Sequence, residues 1–223
     1  MLSSCGADPA PHILVLDFDG TVTLSDVGDA VCQRFAPPSW RAVDDRWVRN
    51  EISLPEAQRE MWALVRAREA EALGFVQAHI KIRPGLDALL DEAARRAVPV
   101  WLASGGFDFY IDALLGDRRN RLDRIYCNEA RFDGDRVSVR FPNDALACSR
   151  CAVCKGRVCD LARRQGARVL FVGDGHSDRC VVGRADRVAA VRGSTLDRHL
   201  EEHGEPGRAF DRFDELLDWL APV

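Results

Sequence analysis

The chain has 223 residues, of which 47% are hydrophobic and 30% charged, a balance too apolar for a disordered chain and too varied for a fibrous one. At about 150 residues per domain it holds roughly one and a half, which points to one core with a substantial insertion. Lysine and arginine number 31 against 35 acidic residues, a net charge of −4 with no basic block, so nucleic acid is excluded as the expected partner. No apolar run approaches the ~18 residues of a spanning helix, and the N-terminus shows neither a basic start nor an apolar signal core; a cytoplasmic protein without membrane contact is expected.

In chain order, the first apolar run is Ile13 to Leu16, short and continuous as in a strand buried on both faces of a parallel sheet. It leads into Asp17-Phe18-Asp19-Gly20-Thr21. Paired carboxylates at the end of a buried strand are costly unless they hold a cation or do chemistry, and open α/β sheets bind ligands at that end. The competing reading is a turn or helix cap, for which Asp-Gly is common.

From about residue 24 to 81 there is no convincing strand. Val27 to Phe35, Trp40 to Val48 and Leu54 to Val65 have helical spacing, with Pro37, Pro38 and Pro55 at breaks or starts, so a helical cap is expected over 24–81. Within it Trp40, Trp47, Met61, Trp62 and Phe75 read as cap core rather than a substrate box. Asp26 is either a helix cap for Val27 or an acidic group facing substrate, and Glu51 is a second candidate on the cap.

The core resumes with a helix over Leu86 to Arg96 and a strand over Val98 to Ala103, which delivers Ser104-Gly105-Gly106, a hydroxyl followed by two amides that can approach an anion closely. Around Arg124 to Phe141 the Asp133-Gly134 pair separates two short segments and predicts a small β-hairpin. A helix over Arg157 to Arg164, strands over Val169 to Val172 and Val188 to Val191, and a closing helix over Phe210 to Leu220 follow, the last from Phe213, Leu216, Leu217 and Leu220. The fold class expected is α/β: a Rossmann-like doubly wound parallel sheet, with a core of residues 1–23 and 82–223, an inserted helical cap and the hairpin.

The Val169 strand delivers Gly173-Asp174-Gly175-His176-Ser177-Asp178, and Lys155 opens the helix before it. Only Lys81 and Lys155 are lysines against 29 arginines, so Lys155 fits a need for a compact point charge. Each of these alone also reads as a turn, a cap or a solvated cation. Together they place carboxylates, a hydroxyl and one ammonium at a single sheet edge, which suits Mg²⁺-assisted phosphoryl transfer through an aspartyl-phosphate. His176 is expected to support its loop rather than act as the base.

In order, DFDGT at Asp17, the Ser104 strand end, Lys155 and GDGHSD at Asp174 resemble the four motifs of the haloacid dehalogenase superfamily of phosphatases. The resemblance implies Asp17 as nucleophile and Asp19 as general acid and base. It sets Thr21, Ser104, Gly105 and Lys155 around the phosphate. Mg²⁺ would rest on Asp17, the Asp19 carbonyl and Asp174, supported by Asp178. The stretches TVTLSD, FAPPSW, NEISLPE, SGGFDFY, RIYCNEA and CAVCK look like the methionine-salvage branch of the superfamily, which dephosphorylates a methylthiopentenyl phosphate; phosphoserine phosphatases share the cap but resemble the chain less. Gly156 departs from that branch, where proline is expected. The partner implied is a small phosphorylated metabolite, with the chain a monomer or homodimer.

Cys148, Cys151, Cys154 and Cys159 have spacings compatible with zinc or an iron–sulfur cluster. Beside Lys155 a bulky cluster would crowd the phosphate, so reduced structural thiols are the expectation. A non-catalytic metal-binding or sensor protein built on this segment is the alternative from another class.

Overall fold

The computed structural model describes residues 11–221, so the ends of the expected core, residues 1–10 and 222–223, lie outside it. Seven strands form one sheet: β1 His12–Leu16, β2 Val100–Phe107, β3 Arg124–Asp133, β4 Arg136–Arg140, β5 Arg168–Gly173, β6 Arg187–Val191 and β7 Arg208–Phe210. Their order is β4-β3-β2-β1-β5-β6-β7, parallel except for the β3–β4 hairpin. β1 lies centrally, with Leu14 opposite both Val100 and Leu170.

Side chains of a strand alternate between its faces, and here alternate residues enter different cores. Leu14, Leu16, Leu102, Leu170 and Val172 pack on one face, with the helix α5 (Leu86–Arg95), the helix α6 (Asp108–Leu115) and the C-terminal segment. Ile13, Val15, Trp101, Val169 and Phe171 pack on the other, with α7 (Lys155–Arg164) and α8 (Thr195–His203). At about 1.5–3 kcal/mol per fully buried aliphatic side chain, this two-sided burial is what makes the strands read as unbroken apolar runs.

Between β1 and α5 lie four helices: α1 Val27–Phe35, α2 Trp40–Val48, α3 Leu54–Trp62 and α4 Glu69–His79. Asp26 caps α1 by accepting from the Asp29 amide at 2.8 Å, and Ser53 with Glu56 forms a capping box on α3 with Pro55 in its first turn. The chain leaves and re-enters through one antiparallel bridge, Thr23 with Ile82, where the Leu24 amide donates to the Lys81 carbonyl at 2.9 Å. α4 escapes the sequence reading because Ala72, Leu73, Phe75, Val76 and Ala78 spread apolar surface around the helix rather than along one stripe. α6 and α8 were likewise not anticipated.

The expected closing helix over Phe210 to Leu220 is corrected. Phe210 ends the edge strand β7, and Phe213–Leu216 and Asp218–Leu220 form separate short 3₁₀ turns. The sheet edge claims Phe210, and the Phe213 amide donates to the Pro84 carbonyl at 2.9 Å, which holds the segment against α5. Spacing of three serves 3₁₀ turns as well as α-helix, so periodicity could not separate them. The strand expected over Val98 to Ala103 begins at Val100 and runs on through Ser104, Gly105 and Gly106, with a register break between Ala103 and Phe107. Among the described residues no helix is long and apolar enough to cross a membrane.

Candidate active site

The site forms where β1, β2 and β5 end. The Asp17 amide donates to the Val172 carbonyl at 2.9 Å, extending the ladder one residue past β1. Phe18 is fully buried, and its carbonyl accepts from the amides of Thr21 (3.2 Å) and Thr23 (3.0 Å), so the loop coils about it. Gly20 sits at φ 75°, and a Cβ there would overlap the Asp174 carboxylate; glycine lets the first loop pass this close to the third. Arg83, buried and unforeseen from sequence, clamps the loop from behind by donating to the carbonyls of Gly20 (2.7 Å), Thr21 (2.8 Å) and Asp211 (3.1 Å).

Lys155 begins α7 with its side chain 3% exposed and its ammonium in contact with three oxygens: Asp17 Oδ1 at 3.2 Å, Asp178 Oδ1 at 3.0 Å and Ser177 Oγ at 2.7 Å. Burial works against that charge, but Asp17 and Asp178 outweigh it and hold the Lys155 pKa well above the usual lysine value. The other oxygen of Asp178 accepts from the amides of Asp174 and Gly175, both at 2.9 Å, so this carboxylate organises its loop. Asp174 Oδ1 accepts from the Thr21 hydroxyl at 2.8 Å.

Asp17, Asp174 and Asp178 bring ligand oxygens within 4.8 Å of one another, the single such convergence of three or more Asp, Glu, His or Cys among the described residues. Burial and then the neighbouring Asp178 raise Asp17 well above the ordinary carboxylate range and Asp174 to about 7. Hard oxygens crowded at this cost, with one lysine shared among them, fit a small divalent cation such as Mg²⁺.

Asp19 points away from that cluster. Its carboxylate accepts from the Val27 amide at 3.0 Å, Tyr110 Oη at 2.9 Å and Ser104 Oγ at 3.4 Å. Burial first, then Asp26, pushes its pKa up to about 8. Tyr110 was missed in the sequence because an aromatic beside Phe107 and Phe109, at the third position of an unanticipated helix, reads as core packing.

Several expected residues are placed differently. Ser104 is fully buried; its hydroxyl accepts from the Gly106 amide at 2.8 Å, so that amide is already engaged. The Gly105 carbonyl is held by Gln58 and Asn128, each at 2.7 Å, while Gly105 and Gly106 both line the cavity. Thr21 is buried on Asp174 rather than facing the cavity. Glu51 stands on an exposed turn paired with Arg49 at 2.7 Å, outside the cavity lining, because the turn after α2 points it to solvent.

The cavity, 450 Å³, lies between this edge and the cap; Asp26, Trp47, Gln58, Met61 and Trp62 form the cap side. The aromatic set therefore divides: Trp40 is core, Phe75 packs on Phe35, and Trp47, Met61 and Trp62 serve both as packing and as cavity wall. Asp26 both caps α1 and faces the cavity, so the two readings of it are compatible. His176 packs edge-on against Trp47 with centroids 5.4 Å apart.

Cys159 is buried in the α7 core. Cys148 Sγ accepts from the amides of Arg150 and Cys151, and Cys154 lies 3.6 Å from Cys180, sulfur to sulfur. Gly156 has a direct physical cause: a Cβ there would overlap the Cys180 carbonyl. Gly156→Ala is expected to cost about 1–3 kcal/mol in a denaturant titration, since the clash is with backbone that cannot swing aside; an unchanged midpoint would show that the α7 start can move.

A parallel sheet with its acidic strand ends, an ammonium from the following helix and a helical insertion after the first strand defines a class of hydrolase. A family model described as haloacid dehalogenase-like hydrolase matches residues 14–182, and the chain belongs to that family. The 2-hydroxy-3-keto-5-methylthiopentenyl-1-phosphate phosphatase of Geobacillus kaustophilus is 32% identical over 212 residues, covering 93% of this chain and 94% of its own; that of Brevibacillus brevis is 29% identical over 217 residues, 95% and 96%. A solved substrate-bound phosphoserine phosphatase complex superposes with a TM-score of 0.71 at 16% identity, covering 96% of this chain and all of that one, which bears on the fold alone.

Proposed function

We propose that the chain hydrolyses a small phosphate monoester through an aspartyl-phosphate, with 2-hydroxy-3-keto-5-methylthiopentenyl-1-phosphate as substrate. The observation that carries the reaction is the pairing of Asp17 with Lys155 at 3.2 Å, with Asp19 held apart on Tyr110 beside the same cavity. A carboxylate oxygen of Asp17 attacks phosphorus, and the bond from phosphorus to the leaving oxygen breaks. Asp19, protonated near neutrality with its pKa pushed to about 8, gives its proton to that oxygen. The resulting Asp19 carboxylate then takes a proton from water as the water attacks the aspartyl-phosphate, which regenerates Asp17 and restores the proton to Asp19. Lys155 stabilises the charge spread over the phosphoryl oxygens.

Mg²⁺ would be held by Asp17, Asp174 and the Asp19 carbonyl, with Asp178 ordering the loop, and supplies charge neutralisation for the phosphate. The cap, residues 24–81, sits closed in this reading, bound to the core through Gln58 on the Gly105 carbonyl and the Leu54 amide on the Arg150 carbonyl at 2.9 Å, and excludes water from the reacting groups.

The substrate rests on the 32% identity to the methylthiopentenyl phosphatase over nearly both chains. A panel of that ester, phosphoserine and p-nitrophenyl phosphate, assayed with Mg²⁺ and with a chelator, tests it. The expected outcome is a kcat/KM for the methylthiopentenyl ester at least about 100-fold above the others, lost with chelator and restored by Mg²⁺. A panel with no such separation would reject the substrate, and turnover indifferent to chelator would reject the metal.

A further inference from the structure

Beside the main cavity lies a second one of 380 Å³, sharing Trp47, His176, Ser177 and Arg179 with it. Their charges are opposite in character. Asp17, Asp19, Asp26, Asp29, Asp44 and Asp174 line the first, whereas the second has Arg150 and Arg179 and not one carboxylate in its lining.

Three buried nitrogens of its lining residues lack any hydrogen-bond partner among the described residues: Trp47 Nε1, Arg150 Nη2 and Arg179 Nε. All three are donors that cannot accept, and each buried unpaired N–H is costly. Other arginines of the chain find carboxylates, as Arg46 does with Glu60 and Arg184 with Asp160; neither Arg150 nor Arg179 forms an ion pair among the described residues. Arg150, Arg179 and His176 line this cavity together. Burial pushes the Cys151 thiol up to about 12, so it adds no negative charge to the wall. Cys180, 3.6 Å from Cys154 sulfur to sulfur, also reaches the lining.

We propose that this second cavity is a binding site for a delocalised oxyanion carried by the leaving group of the substrate, held by Arg150, Arg179 and the Trp47 indole N–H. Ser177 joins the two halves: it accepts from Lys155 at 2.7 Å at the phosphoryl end and lines the second cavity at the other. The site rests on the phosphatase reading and deepens it by naming the substrate class. A carboxylate spreads one negative charge over two oxygens, and the hydroxyl and keto oxygens of the methylthiopentenyl ester are acceptors conjugated with the enol oxygen that gains charge as its bond to phosphorus breaks; the guanidinium fork matches both.

The test uses a matched pair of probes, 3-phosphoglycerate and glycerol 3-phosphate, which differ only in a carboxylate against a carbinol, together with the methylthiopentenyl ester. Wild-type protein is expected to favour 3-phosphoglycerate over glycerol 3-phosphate by roughly 10- to 100-fold in kcat/KM, the worth of one or two charge-assisted hydrogen bonds. Arg150→Gln and Arg179→Gln should each collapse that ratio toward one, mainly through KM, while the surface control Arg46→Gln leaves it intact. The methylthiopentenyl ester separates the two oxyanion sources: a larger loss there than for 3-phosphoglycerate assigns the site to the keto–enol group, the reverse to a carboxylate. A wild-type ratio near one with no loss on the ester in the arginine variants, or a ratio that survives both substitutions, overturns the site. If no ester is hydrolysed, it is the phosphatase reading that fails; calorimetric binding of 3-phosphoglycerate and glycerol 3-phosphate to wild type and Arg150→Gln then decides the oxyanion site by the same ratio.

Discussion

Asp17→Asn is expected to leave a folded protein whose turnover of p-nitrophenyl phosphate falls by at least ~10⁴-fold, the scale seen when a catalytic nucleophile is removed. The amide is nearly isosteric and keeps the position at the end of β1, but its oxygen is a poor nucleophile and forms no acyl-phosphate. Folding should survive because the substitution removes one of three crowded carboxylates. Lys155 keeps Asp178 at 3.0 Å and Ser177 at 2.7 Å. In chelator, where no cation offsets the crowding, the melting temperature should match or exceed that of the wild type. Activity retained within tenfold would remove Asp17 from the role of nucleophile, and a protein that no longer folds would show instead that its carboxylate is needed for the loop to form.

Lys155→Met is expected to be damaging twice over. Its ammonium is the cation shared by Asp17 and Asp178, with all three groups buried. Breaking a buried ion pair by removing one partner typically costs about 3–5 kcal/mol, because the remaining charge is left uncompensated. The carboxylates can escape part of that cost by protonating, which gives the loss a pH signature. Carboxylates whose folded pKa lies above the unfolded value bind more protons when folded, so stability falls as pH rises. Asp174 already titrates at about 7 against 3.8 unfolded, and Asp17 also lies well above its ordinary value. In chelator the variant should therefore come nearest to wild type near pH 4 and fall increasingly behind toward pH 7, followed by urea midpoints across that range. Turnover should fall by roughly 10³-fold through loss of charge stabilisation at the phosphoryl group. A variant with a pH-independent deficit would mean that Lys155 contributes packing rather than charge.

The sheet was legible because its strands are buried on both faces. Leu14 and Val15 face different cores, yet both must be apolar, and this produces the unbroken runs from which β1, β2, β5 and β6 were read. The cap was legible from what it lacks, a stretch between residues 24 and 81 with helical spacing and no strand. Edges were not. β7 has three residues and one neighbour, and the Phe213 and Leu216 spacing suits two kinds of helix. For the site, Asp17, Lys155 and Asp174 could be named from their positions at strand ends and a helix start. Tyr110 and Arg83 could not, because their importance comes from partners 91 and 62–63 residues away, respectively. Glu51 shows the opposite error, an acidic residue in the right segment that the turn directs into solvent.

What the sequence by itself determined is the chemistry available at the sheet edge: carboxylates, a hydroxyl and a single ammonium, delivered by apolar strands that can lie only inside a parallel sheet. Tertiary structure alone decided how these groups divide their work. Asp17 and Asp19 are two residues apart, yet one is directed to Lys155 and the other to Tyr110, because Phe18 between them is buried and the loop coils about its carbonyl. The unpaired donors of Trp47, Arg150 and Arg179 likewise come from cap, cysteine loop and Asp178 loop, and only packing brings them to one cavity. Periodicity records which face of an element is buried; it carries no record of which distant side chain will meet it there.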